Sequence, residues 1–455
     1  MPLQFFGTSG IRGVVGKELS PILAARIGSA VATYIDSGKV IVGHDTRISS
    51  PMIEAALISG LLSSSSNVQK LGLVPTPTLA YSTEALNAAA GIMITASHNP
   101  PEYNGVKIFN SDTMAYSDVQ QMEIEQIIKQ NRFHLASWEN LGHAIDAHET
   151  SRYVKMVLDA VELKKQWWVV LDCGCGATSH IAPTIFRKLN CKVTTINAQP
   201  DGFFPGRSPE PKPETLTHLC SVVKQLKADI GIAYDGDGDR MAVVDENGKM
   251  LLFDQLLAAY SVYAVRKYND GVVVTHVDAS RCIDEAVGMA GGKVVRTLVG
   301  DVNIAMAIKE HRAIFGGEPV GSWIHPQHHL CPDGILSSAL LLEALENEGK
   351  TLSQFISKIP VYLLLREKVP CPDELKPKVM EKIQKAAPKM YPKINEILTV
   401  DGLRFELPEG WVVIRPSGTE PVIRVAVEAK TRKEAEKLLQ IALQTIKKAL
   451  KEARA

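Results

Sequence analysis

No stretch of 18 or more apolar residues occurs in the chain, so no segment is expected to cross a membrane as a helix. Net charge is lacking too: 50 lysines and arginines balance 50 aspartates and glutamates. With no basic tail or stripe, the composition argues against nucleic acid as the main partner. An anionic ligand would have to be met by local clusters of arginine and lysine. Cysteine is sparse and odd in number, seven in all and scattered, which suggests reduced thiols rather than a disulfide frame. Cys173 and Cys175 form a lone Cys-x-Cys with no second pair nearby, so small residues at a strand end are expected there and not a zinc site. The opening segment Met1–Gly16 has neither a basic start nor an apolar core. It does not read as a secretory signal, and a cytoplasmic location is expected.

What is present is an ordinary globular composition, 45 % hydrophobic and 22 % charged, over 455 residues, long enough for three or four domains. Apolar runs of strand length stand at Lys39–Gly43, Gly91–Thr95, Trp168–Asp172, Ile230–Tyr234, Val272–His276 and Lys293–Thr297. Helical periodicity marks Pro21–Ile35, Pro51–Leu62, Val119–Lys129 and Arg152–Val161. Nearly continuous apolar strands alternating with helices predict parallel sheets covered on both faces, an α/β architecture. Several runs end on an acidic residue (Asp45, Asp172, Asp235, Asp278), the end at which open α/β sheets place ligands. The texture changes near Arg366: Ile359–Pro392 carries six prolines among many lysines and reads as a hinge followed by a short helix. Short strands at Trp411–Ile414 and Val422–Glu428 and a long final helix from about Thr431 follow. The expected domains are 1–150, 151–250 and 251–365, all α/β, and a smaller α+β domain at 366–455.

Two loops carry the chemistry. Tyr-Asp-Gly-Asp-Gly-Asp-Arg occupies 234–240 directly after the apolar run Ile230–Ala233. Carboxylates at i, i+2 and i+4 repel one another by several kcal/mol at ~4 Å when partly buried, so the cluster calls for a cation. Glycines at 236 and 238 let the backbone turn the three oxygens inward. Hard oxygen ligands select Mg²⁺ or Ca²⁺. A calcium EF-hand would match Asp235, Asp237, Asp239 and Glu246, but it needs glycine where Arg240 stands, and the flanks read as strands. A solvated acidic turn seldom alternates with glycine and ends in arginine after a buried strand. Three carboxylates leave Mg²⁺ open positions that a phosphate oxygen fills naturally, with Arg240 beside it.

The second loop is Thr95-Ala96-Ser97-His98-Asn99-Pro100-Pro101. The prolines stop any helix, which leaves Ser97 on a loop at a strand's end. Taken alone this is equally a plain turn. A Ser–His hydrolase is disfavoured: adjacent side chains are expected to point apart, no Gly-x-Ser-x-Gly surrounds them, and the metal loop would go unused. Lys107, ten residues on, has the reach for a phosphate or a sugar hydroxyl.

Four signatures then line up: Phe6-Gly7-Thr8-Ser9-Gly10-Ile11-Arg12-Gly13, Thr95–Pro100 with Tyr103-Asn104-Gly105-x-Lys107, Asp235–Arg240, and Arg415-Pro416-Ser417-Gly418-Thr419-Glu420-Pro421. In this order and combination the chain resembles the α-D-phosphohexomutase family, which comprises phosphoglucomutase, phosphomannomutase and phosphoglucosamine mutase. The resemblance implies three similar α/β domains and a smaller fourth around a central cleft. It implies exchange of a phosphoryl group between O1 and O6 of a hexose through phospho-Ser97 and a hexose 1,6-bisphosphate. It implies Mg²⁺ on Ser97, Asp235, Asp237 and Asp239. It places Arg12, Lys107 and Arg240 around the transferring phosphoryl, with His98 beside the serine. Gly300 and Asp301 match a sugar-recognition loop, and Arg415, Ser417, Gly418 and Thr419 match the loop that grips the phosphate not being transferred. The implied partners are hexose phosphates; the sequence leaves a monomer and a homodimer equally open.

One loop departs from the family pattern Gly-Glu-x-Ser-Gly-His. Here it reads Gly317-Glu318-Pro319-Val320-Gly321-Ser322-Trp323. Glu318 is kept for the sugar hydroxyls, but Val320 replaces the serine and Ser322 the histidine. His325, His328 and His329 stand just downstream as candidates to replace that histidine. A metal-dependent sugar phosphatase is the alternative activity.

Overall fold

Valine and isoleucine at consecutive positions of Lys39–His44 send side chains to both faces of the strand. Val40 and Val42 pack on one side with Ile27, Val31, Ile53, Leu57 and Leu61, while Ile41 packs on the other with Leu79, Met93 and Phe109. Helices therefore cover both faces. The computed structural model describes residues 6–7, 10–269, 271–418 and 420–454, and it divides into two compact units. The first comprises Met1–Phe253 and Phe315–Ile356, the second Asp254–Ile314 and Ser357–Ala455.

The first unit contains a seven-stranded mixed sheet. Its order is Phe6–Gly7, Gly10–Val14, Tyr103–Asn110, Ala90–Ile94, Lys39–His44, Asn67–Leu73 and Ala144–Asp146. The last four strands run parallel, and the first three pair antiparallel. Helices Pro21–Tyr34, Ser50–Ser63, Thr76–Ala85 and Asp118–Gln130 flank it. Ser20 caps the first by accepting from Leu23 N–H, with proline at the first helical position. Ser117 and Gln120 form a reciprocal capping box on the last. A second sheet orders Met241–Val244, Ile230–Tyr234, Trp168–Asp172 and Lys192–Ile196. It is parallel except for its first strand, which turns back antiparallel after the acidic loop. The hairpin Phe315–Glu318/Ser322–Ile324 and helix Gly334–Glu348 complete this unit. That helix is buried along almost its whole length and packs on the strands Ile230–Tyr234 and Met241–Val244 and the helix Thr150–Ala160.

The second unit holds the parallel pair Val272–His276 and Lys293–Thr297 with helices Arg281–Met289 and Asp301–His311. It also holds an antiparallel five-stranded sheet, ordered Leu363–Pro370, Val422–Ala429, Gly410–Pro416, Leu403–Leu407 and Glu396–Leu398. Helices Lys376–Met390 and Arg432–Arg454 share that sheet's core. The fold class is thus α/β with parallel and mixed sheets followed by a C-terminal α+β segment. The expected hinge in Ile359–Pro392 is corrected: Leu363–Pro370 is an eight-residue strand. It lies at the sheet's edge, where Arg366, Glu367 and Lys368 face water and the closing Pro370 does no harm, so charge and proline disguised it as a linker.

Candidate active site

The strand Ala90–Ile94 is buried throughout and delivers Thr95 and Ser97 at its carboxyl end. Ser97 has φ +52°, the left-handed region that a serine enters at a cost. Its N–H donates to Thr95 Oγ1 at 2.8 Å, and its hydroxyl donates to Asp235 Oδ2 at 2.8 Å. His98 Nδ1 lies 3.3 Å from Ser97 Oγ. The expectation that the two side chains point apart is therefore corrected, because the left-handed backbone turns both to one side. Burial, followed by the nearby Arg240 and Arg12, holds the His98 imidazole down to about 2, so the ring is neutral beside the serine.

The acidic loop leaves the buried strand Ile230–Tyr234. Asp235 Oδ1 accepts from the N–H groups of Gly238 at 3.0 Å and Arg240 at 3.2 Å, which curls the loop around its first carboxylate. Gly236 is obligatory there: a Cβ would meet Ser97 O at 2.5 Å. Carboxylate oxygens of Asp235, Asp237 and Asp239 lie within 4.8 Å of one another, all buried. Lys107, on the strand Tyr103–Asn110, donates to Asp237 Oδ2 and Asp239 Oδ2, both at 2.7 Å, and Thr76 Oγ1 donates to Asp237 Oδ2 at 2.6 Å. Burial and then the Asp239 and Asp237 charges push Asp235 well above the carboxylate range. Burial also works against Asp237, but Lys107 overcomes it and holds that group below the range. Burial likewise opposes the Lys107 charge, and Asp237 and Asp239 push its pKa up regardless.

Asp237 Oδ1 and Asp239 Oδ1 are buried and accept no hydrogen bond; Arg240 Nε stands 3.8 Å from the latter. Two buried carboxylate oxygens without a donor, beside a hydroxyl on the third carboxylate, fit a hard divalent cation. Arg12, on Gly10–Val14, reaches Asn99 Oδ1 at 2.9 Å. Glu318 is buried at the end of its strand, directly opposite Ser322 in the hairpin. Its charge acts on Arg240. His325 and His329 are also buried, with Nε2 atoms 3.0 Å from Ser337 Oγ and Asp333 Oδ2. His329 thereby meets the N-cap residue of helix Gly334–Glu348, and His325 a serine inside its first turns.

The second unit carries the remaining residues. Gly300, φ +126°, precedes helix Asp301–His311 with Asp301 in its first turn. Arg415 donates to Asp401 Oδ2 at 3.3 Å. Ser417 is buried, and its hydroxyl accepts from Glu420 N–H at 3.2 Å. Lys376 Nζ ties down the Ser417 and Glu420 carbonyls at 2.5 and 2.7 Å. Gly418 is exposed, and Thr419 lies outside the described residues. Cross-strand register aligns Lys368, Arg424 and Arg415. With Arg366 and Asp278 they line a cavity of about 470 Å³, a cationic wall suited to an anion.

Four family models match in succession. Phosphoglucomutase/phosphomannomutase alpha/beta/alpha domains I, II and III match residues 3–135, 151–248 and 253–362, and the C-terminal domain matches 367–443. The chain belongs to the phosphoglucomutase/phosphomannomutase family. It is a phosphohexomutase by descent along its whole length. A probable phosphoglucosamine mutase of Pyrococcus abyssi is 45 % identical over 450 residues, covering 99 % of both chains. One of Methanothermobacter thermautotrophicus is 47 % identical over 434 residues, 95 % of each. A phosphoglucomutase/phosphomannomutase family protein of Burkholderia thailandensis has the same fold with TM-score 0.89 at 27 % identity, covering 98 % of this chain and 97 % of the other. These full-length matches to mutases set aside the sugar phosphatase alternative.

Within this phosphohexomutase the sequence motifs did not mark Thr76, Arg47, Arg366, Lys368 or Arg424. Arg366 and Lys368 carried a signal in their period-two spacing on one strand face. Thr76 carried none, because its contact with Asp237 spans 161 residues. No helix among the described residues is long and apolar enough to cross a membrane.

Proposed function

We propose that this phosphohexomutase interconverts the 1- and 6-phosphates of glucosamine and tolerates the corresponding glucose and mannose phosphates. It would act through phospho-Ser97 and a hexose 1,6-bisphosphate intermediate. The observation that carries the reading is the Ser97 hydroxyl on Asp235 beside two buried carboxylate oxygens that accept no hydrogen bond. Asp235, Asp237, Asp239 and an oxygen on Ser97 would hold Mg²⁺, which neutralises the charge on a phosphoryl group in transfer. Arg12, Arg240 and Lys107 would add positive charge around the serine, and the neutral His98 ring would lie beside its oxygen. In the first half-reaction the phosphoserine P–O bond breaks and a bond to the free sugar hydroxyl forms, with that hydroxyl's proton ending on Ser97 Oγ. Glu318 would hold two neighbouring sugar hydroxyls, with Ser322 beside it. The loops of Gly300–Asp301 and Arg415–Thr419 would hold the sugar and its other phosphate. The names of the archaeal relatives support glucosamine as the sugar, and the four successive family matches support four domains at 1–150, 151–250, 251–365 and 366–455. Intact-mass measurement is the test: the purified enzyme should carry one phosphate on Ser97, lost in Ser97→Ala together with mutase activity. Phosphate on any other residue refutes the assignment.

A further inference from the structure

Arg47 is buried and directs every donor of its guanidinium at a defined acceptor. Nε donates to Asp45 Oδ2 at 2.9 Å, Nη1 to the carbonyls of Pro100 at 2.5 Å and Tyr103 at 2.9 Å, and Nη2 to those of Ser97 at 2.9 Å and Asn99 at 2.7 Å. All five N–H groups are spent. All four carbonyls belong to the segment 97–103 that carries the serine. The partner carboxylate is equally occupied: Asp45 Oδ1 accepts from Arg47 N–H and Ser50 Oγ, both at 3.0 Å, and Oδ2 also accepts from Thr95 Oγ1 at 2.7 Å. Thr95 Oγ1 in turn receives the Ser97 N–H. Ser97 is thus gripped at its carbonyl by Arg47 and at its N–H by the Thr95–Asp45 relay.

We propose that Asp45, Arg47 and Thr95 are positioning residues that lock Ser97 in its left-handed conformation and so aim the phosphoserine. Being an inference about that serine, it rests on the phosphoserine reading above. An unfavourable backbone conformation persists only where its surroundings over-determine it, and the two grips on one residue do so. Phosphoryl transfer is sensitive to aim: a displacement of ~1 Å costs ~100-fold in rate. A second buried pair repeats the device under the acidic loop. Arg207 Nε donates to Asp172 Oδ2 at 2.9 Å, and its Nη2 donates to the carbonyl of Tyr234, the residue before Asp235, at 2.6 Å. Nucleophile and carboxylates are then each set by an Asp–Arg clasp at the end of a neighbouring parallel strand. Lysine cannot do this, since a point charge with three donors lacks the planar fork that spans four carbonyls.

The test uses the full chain with Arg47→Lys and Thr95→Val, the second being isosteric. Each protein is charged with a hexose 1,6-bisphosphate, its phosphoserine content is measured by intact mass, and turnover is expressed per phosphorylated site. The expected result is a fall in kcat per site of ~100-fold for Arg47→Lys and ~10-fold for Thr95→Val, with KM for the sugar phosphate within about twofold of wild type. A merely structural role would lower the folded fraction and the melting temperature but leave per-site kcat unchanged. Per-site turnover within about twofold of wild type in either folded variant overturns the proposal. If Arg47→Lys fails to fold, Thr95→Val alone decides. Failure of the wild type to take phosphate on Ser97 overturns the phosphoserine reading and the inference with it, a result distinct from a phosphorylated variant that turns over normally.

Discussion

Replacing Asp235 or Asp237 by asparagine makes the same exchange of carboxyl for amide with almost no change of shape, yet the two substitutions should move metal-free stability in opposite directions. The three carboxylates lie within 4.8 Å. Two like charges at that separation repel by ~3.5 kcal/mol at an effective dielectric of ~20. Asp235 faces two such neighbours, and Lys107 hydrogen-bonds only the other two carboxylates. The strong upward push on Asp235 says that repulsion and burial win over the attraction of Arg240 and Lys107. Asp235→Asn keeps an oxygen for the Gly238 and Arg240 N–H groups and should stabilise the metal-free protein by ~1–3 kcal/mol, the residue of that repulsion after partial compensation. Asp237 is in the reverse situation: its charge is held by Lys107 at 2.7 Å. Asp237→Asn gives up that charge-assisted bond, worth ~1.5–3 kcal/mol, and should destabilise. Magnesium reorders the series. At 100 times its Kd it adds ~2.7 kcal/mol to the wild type, and each variant forfeits most of this. Urea unfolding in EDTA and again in excess Mg²⁺, with calorimetric titration of the metal, provides the measurement. If Asp235→Asn is less stable than wild type in EDTA, or is protected by Mg²⁺ as strongly as wild type, the reasoning from the triad is wrong.

Glu246 accepts the Thr351 hydroxyl at 2.7 Å and the Ser353 N–H at 3.3 Å, along with the Ser353 hydroxyl. Burial opposes its charge, but these donors hold its pKa below 4.5. Because the folded value lies below the unfolded one, this contribution is present above about pH 4.5 and fades as pH falls through the folded pKa; Glu246→Gln should therefore flatten the acid limb of a stability–pH curve. Gly321 has φ +80°, and a Cβ there would meet Met241 O at 1.8 Å. Gly321→Ala should cost ~1–3 kcal/mol in a urea midpoint and lower activity, since Met241 adjoins Arg240. If the loop of Glu318 holds the sugar as proposed, Val320 can offer it no hydrogen bond, so kcat/KM for glucosamine, glucose and mannose phosphates should agree within ~10³, and a larger preference would mean that another residue reads C2.

Much of the fold was open to reading because its central strands are buried on both faces. Trp168–Asp172, Ile230–Tyr234, Val272–His276 and Lys293–Thr297 begin and end in the structure where their apolar runs do. The strand Leu363–Pro370 escaped because an edge strand tolerates charge and proline. At the site, the acidic loop and the serine loop were visible as local patterns, since each is a short segment whose residue types declare a need. What stayed hidden was long-range. Thr76 reaches Asp237 and Lys107 bridges two aspartates only after separate strands are laid side by side. Arg47 sits two residues beyond Asp45, and nothing local says that its guanidinium will gather four carbonyls around Ser97. Likewise, nothing local says that the rings of His325 and His329 will lie against Ser337 and Asp333 of helix Gly334–Glu348.

The first unit is not contiguous in the chain: it runs to Phe253 and resumes only at Phe315–Ile356. During synthesis, then, the ribosome emits both catalytic loops long before the unit that houses them can close. Helix Gly334–Glu348 supplies buried packing beneath the strands on either side of the acidic loop. Some 100 residues must follow Phe253 before its segment is complete, which at 5–20 residues per second is about 5–20 s. For that interval the nascent polypeptide exposes the apolar faces this helix will cover. Chaperone engagement is expected to concentrate in that window of translation, and slowing elongation between residues 253 and 356 should lower the yield of active enzyme more than slowing it elsewhere.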